Sequence, residues 1–128
     1  MIKKASFALL CAASLCATNA FSTTVHTFQR GISANYVLQP NEPQEFVNVF
    51  MWAVKATCKM TSKSEDTLMS IKVLRKSGSY NGMPLSNGDA IQVMVHNNEK
   101  IHLTAASGGK VELINLGDVT MNAECTAE

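Results

Sequence analysis

The chain carries almost no surplus of charge: 11 Lys and Arg stand against 10 Asp and Glu in 128 residues. Nucleic acid and anionic membrane surfaces select clustered positive charge, so neither is expected as a partner. No Gly-x-Ser-x-Gly, His-Glu-x-x-His or glycine-rich phosphate loop occurs. The usual sequence routes to hydrolysis, zinc proteolysis and nucleotide binding are therefore missing. Acidic residues such as Glu99, Glu112 and Glu124 fall on outward positions or turns, and the chain reads as non-enzymatic and without a cofactor. Internal repeats, linkers and low-complexity tracts are absent, and helical periodicity nearly so. No apolar run reaches the roughly 20 residues that a membrane-crossing helix needs.

What is present begins at the amino terminus. Met1-Ile2-Lys3-Lys4 is a short basic start, followed by an apolar run from Ala5 to Ala17 and the small-residue stretch Thr18-Asn19-Ala20. That order is the layout of a secretory signal peptide. Residues 1–20 are read as the leader and 21–128 as one domain, with cleavage after Ser22 as the alternative. Cys11 and Cys16 each follow a leucine rather than a small residue, which argues against a lipid-modified terminus. Removing Lys3 and Lys4 leaves nine basic against ten acidic side chains, a net charge of −1. The expected location is periplasmic or secreted.

Export makes the two remaining cysteines, Cys58 and Cys125, a disulfide candidate, because an isolated pair in an oxidising compartment usually bonds. The enclosed loop is long, so chain-entropy reasoning gives about 4 kcal/mol of stabilisation. A catalytic thiol would want a partnered histidine, and a metal site more ligands; spacing supports neither.

Apolar and polar residues alternate with period two, broken at short intervals by turn residues. This predicts an all-β fold, an antiparallel β-sandwich of immunoglobulin-like outline with one disulfide. The clearest strand is Trp52 to Met60, with Trp52, Val54, Ala56, Cys58 and Met60 inward and Lys55, Thr57 and Lys59 outward. Val119 to Cys125 follows the same logic, so both cysteines fall on core faces, where the two layers meet. Thr67 to Arg75 is expected to bury Met69, Ile71 and Val73, and Ala90 to Val95 to bury Ile91, Val93 and Val95. Ile101 to Ala105 and Lys110 to Leu116 are read as completing a meander, with Val95 paired to Ile101 and Ala105 to Val111. Upstream, Thr24 to Arg30 and Ala34 to Gln39 are strands, and Pro40-Asn41-Glu42-Pro43 a turn. The lysines Lys55, Lys59 and Lys63 read as a solvated outer face.

Three regions could carry function. Phe46 to Val54 is apolar on both faces, with Phe46, Phe50 and Trp52 on one and Val47, Val49, Met51 and Ala53 on the other. It is either a strand covered on both sides or bent between sheets, or a surface for a partner or for self-association. The stretch Ser77 to Asp89 is irregular, with turn dipeptides Asn81-Gly82 and Asn87-Gly88, and carries Tyr80. Candidate partner-binding residues are Phe46, Val47, Val49, Met51, Trp52 and Tyr80; the partner is another protein or a cell-surface ligand. His96 and His102 would share one hairpin face near Met94, which would suit copper only with further ligands. Solvated histidine is the plainer reading, and no residue is assigned to metal.

Ser77-Gly78-Ser79-Tyr80 resembles the Ser-Gly-x-x-Tyr signature of periplasmic lysozyme inhibitors, one residue short and without that family's second motif. The resemblance implies a wall-degrading enzyme as target, with the Tyr80 loop entering its cleft. The arrangement Phe46…Trp52…Cys58 with a closing Glu124-Cys125 resembles small secreted β-sandwich proteins of Gram-negative bacteria. That likeness brings no site residues with it.

Overall fold

The computed structural model describes residues 23–28, 31 and 33–128; the leader, its cysteines Cys11 and Cys16, and both cleavage points lie outside them. The described residues form strands and no helix. In chain order these are β1 (Thr24–Thr27), β2 (Ser33–Leu38), β3 (Gln44–Val47), β4 (Val54–Ser62), β5 (Asp66–Arg75) and β6 (Gly78–Tyr80). They continue with β7 (Met83–Leu85), β8 (Ala90–His96), β9 (Glu99–Ala105), β10 (Lys110–Asn115) and β11 (Met121–Ala127). One sheet has six strands in the order β2-β11-β4-β9-β6-β7, the other five in the order β1-β3-β10-β5-β8. All pairings are antiparallel except β1 with β3.

Alternation in the sequence becomes a buried layer between the sheets. Val54, Ala56, Cys58 and Met60 of β4 are buried while Lys55 and Lys59 are exposed. From the other sheet, β5 contributes Met69, Ile71 and Val73, all buried as their parity predicts. Burying apolar side chains of this size stabilises by roughly 1.5–3 kcal/mol each. Met60, Met69 and Met121 are wholly inaccessible, so these methionines pack the core and need no cofactor to explain them.

The meander expected downstream of β7 is not formed. β8 pairs with β5, β9 with β4 and β6, and β10 with β3 and β5. Val95 and Ile101 therefore lie in different sheets, as do Ala105 and Val111. Apart from the β6–β7 hairpin, each strand crosses to the opposite layer from its predecessor. The reason is physical: alternation fixes which side of a strand faces the core, and a strand in either layer satisfies that rule. The Asn97-Asn98 turn is instead tied to the first crossing. Asn97 Oδ1 accepts from Ser62 N at 3.0 Å, and Asn98 N donates to Met60 O at 2.7 Å.

The expected bridge is formed, Cys58 Sγ to Cys125 Sγ, with the Cα atoms 4.0 Å apart. Both cysteines lie on core faces, as their parity predicts. Cys58 and Cys125 are directly opposed on β4 and β11, so the bridge ties neighbours within one sheet. In immunoglobulin domains the disulfide links the two sheets. Cys58 is buried and Cys125 half-buried, both on the core side.

Ser77 to Asp89 is more ordered than its composition suggests. β6 and β7 form a hairpin closed by Asn81-Gly82, with φ of 48° and 84°. Two consecutive positive φ values mark the tight hairpin turn that Asn-Gly favours. Asn87-Gly88 forms the next turn, again with a positive φ at glycine.

Candidate functional site

Between β3 and β4 the chain leaves one sheet and enters the other, and residues 48–53 form the link. The cause is Asn48. It is inaccessible to solvent and interrupts the apolar run. Its amide nitrogen lies 2.8 Å from Trp52 O, 3.0 Å from Ala105 O and 3.1 Å from Ala106 O. Its Oδ1 accepts from Phe50 N at 2.9 Å. An asparagine bonded to the backbone two residues ahead replaces a strand rung with a turn.

The turn after β9 completes the anchor. Asn48 N donates to Gly109 O at 2.9 Å, Gly108 N to Asn48 O at 3.1 Å, and Ser107 Oγ to Phe50 O at 2.8 Å. Gly109 admits no larger residue, since a Cβ there would stand 2.8 Å from Ala106 O. Arg75 Nε donates to Gly108 O at 2.8 Å from the far side of that turn.

What this base holds up is apolar. Met51 is 89% exposed, Val49 61% and Trp52 48%, three of the exposed large hydrophobics among the described residues. Phe50 is half-buried and stacks on Trp52, with ring centroids 5.1 Å apart and planes 16° from parallel. The link between β3 and β4 thus exposes three large apolar side chains above a base of buried polar bonds.

The six residues singled out from the sequence are thus divided. Val49, Met51 and Trp52 form the tip. Trp52 is not the inward first residue of a strand, because β4 begins at Val54. Phe46 is buried in β3 beside β1, its ring stacked at 5.0 Å on His26 and edge-on to Tyr36 at 5.0 Å. Val47 is half-buried in β3. Tyr80 is in the core, 7% exposed, and burial, aided by the Glu99 carboxylate, raises its phenol above the usual range. No tyrosine stands at the Ser77–Asp89 surface to enter a cleft.

His96 and His102 do not share a hairpin face. His96 Nδ1 contacts Asp66 Oδ1 across β8 and β5, while His102 Nδ1 lies 3.2 Å from Thr57 Oγ1 in the other sheet. Among the described residues no group of three or more His, Cys, Asp and Glu side chains could hold a metal ion. An interior space of about 20 Å³ beside the disulfide has room for one water.

Asn48 was missed in the sequence, where its signal is one polar residue between Phe46-Val47 and Val49-Phe50. In comparisons with known proteins, no family model, curated protein or solved structure matches the chain.

Proposed function

We propose that the protein is an exported, non-enzymatic binding module, periplasmic or secreted, that engages another protein or a cell-surface ligand through Val49, Met51 and Trp52. The observation that carries this reading is the bonding of the buried Asn48 to the backbone of the link from which these exposed side chains project. A backbone already held in its turn has less conformational entropy to lose on binding, and such preorganisation raises affinity. Tryptophan is among the side chains that dominate binding energy at protein contacts. A stapled two-sheet scaffold, immunoglobulin-like in outline only, is the support, and its disulfide is compatible with an oxidising compartment.

The test compares wild-type protein with the Val49→Ser, Met51→Ser, Trp52→Ser variant as bait for partners from culture fluid and host lysate. All three side chains are exposed, so the variant is expected to fold. It should lose a partner that the wild type retains. Equal recovery by both would refute the tip as the contact.

A further inference from the structure

The margins of the sandwich are finished differently. Where β1 and β2 meet, His26 packs edge-on to Tyr36 at 4.7 Å and stitches the two sheets. On the other margin, β7 is three residues long with Pro84 at its centre, and proline blunts an edge. β8 has no such device. It is seven residues long, Ala-Ile-Gln-Val-Met-Val-His, without proline, Lys, Arg, Asp or Glu. It pairs with β5 on one side only, and its other edge is unpaired among the described residues. Its inner side chains grade from half-buried Ile91 and Val93 to inaccessible Val95, so the sheet is uncovered toward Ala90.

We infer that the open edge of β8 pairs with β8 of a second copy of this chain, antiparallel about a two-fold axis at Val93, giving one continuous sheet across the dimer. The strand is complementary to itself in that register. Val93 meets its own counterpart, Ile91 meets Val95 of the second copy, and both pairs stay on the core side. On the outer side Gln92 meets Met94, and Ala90 meets His96. Parity is preserved, no like charges oppose one another, and the half-exposed Ile91 and Val93 gain cover. A two-fold interface needs this self-complementarity, and edge pairing supplies backbone hydrogen bonds that an exposed edge lacks. The inference goes beyond the binding reading and does not depend on it. It implies a bivalent module, because the antiparallel arrangement points the two Trp52 tips in opposite directions.

The test reads association by analytical ultracentrifugation over a concentration series. Gln92 and Met94 are both exposed, so charges placed there leave the core intact. Gln92→Lys with Met94→Lys puts lysine opposite lysine twice in the dimer and should weaken association by about tenfold or more. Gln92→Glu with Met94→Lys puts glutamate opposite lysine twice and should restore it. The triple-serine tip variant should dimerise like the wild type. A protein monomeric at all concentrations overturns the inference. So does a dimer that responds equally to both charge variants, since its contact lies elsewhere.

Discussion

Asn48 and Asn115 sit at opposite ends of the sandwich and make the same bonds. Each donates to the carbonyl four residues ahead, Trp52 O and Val119 O, at 2.8 Å. Each accepts from the amide two residues ahead, Phe50 N at 2.9 Å and Gly117 N at 2.8 Å. Each also reaches another strand, Asn48 to Ala105 O at 3.0 Å and Asn115 to Leu38 O at 2.9 Å. Both are inaccessible. One device thus terminates two strands of the same sheet, but only the loop after Asn48 exposes large apolar side chains.

Asn48→Ala and Asn115→Ala are each expected to cost about 2–3 kcal/mol, since both leave buried carbonyls without donors. They differ in their local effect. Trp52 is the single tryptophan, so Asn48→Ala should shift the fluorescence of the folded protein while Asn115→Ala leaves it unchanged. Urea titration followed by fluorescence and circular dichroism reads both; identical spectra for the two variants would remove the anchoring role.

The Cys58–Cys125 bridge closes a separation of 67 residues. Cys58→Ala with Cys125→Ala should lower unfolding free energy by about 4 kcal/mol, through the longer reach of the unfolded chain. Denaturant unfolding of oxidised and variant protein measures it, and a loss below about 1 kcal/mol would mean that strand pairing alone fixes β4 against β11.

Thr67 is 3% exposed, and its Oγ1 is buried without a hydrogen-bond partner among the described residues. Valine has the same shape without the hydroxyl. Thr67→Val should be stabilising by about 1 kcal/mol, seen as a higher melting temperature; a lower one would reveal a partner for the hydroxyl.

The Asp66 carboxylate, by its hydrogen bond and then its charge, raises the His96 imidazole above its ordinary value near 6.5, with Glu99 adding in the same sense. Because the folded value is the higher one, this stabilisation is full below the ordinary value. It fades as pH rises through the raised one. Both side chains are well exposed, so the effect on stability is small. NMR titration of His96 should give a midpoint above 6.5 that falls toward it in Asp66→Asn. An unchanged midpoint would show that the pair is not formed in solution.

Strand positions and inward faces were legible in the sequence because period-two patterning is a local signal: Cys58, Met60, Met69, Val73 and Val95 all lie where parity puts them. Layer membership was not. Val95 and Ile101 both face the core, but from opposite sheets, and a short polar turn serves a crossing as well as a hairpin. Trp52 was misplaced for a related reason. Continuous apolar character from Phe46 to Val54 hid the break at Asn48, whose partners at Ala105 and Ala106 are distant in sequence. Tyr80 looked like a loop residue amid Gly, Ser and Asn, yet those residues form the turns of a small hairpin that packs it inward.

Photo-cross-linking in cells that export the protein tests the central claim most directly, with the reactive side chain at position 51 and, for comparison, at exposed position 83 on β7. The tip account predicts a discrete adduct from position 51 that disappears when Val49 and Trp52 are changed to serine, and none of that mass from position 83. The same adduct from both positions, or one from position 83 alone, would contradict it.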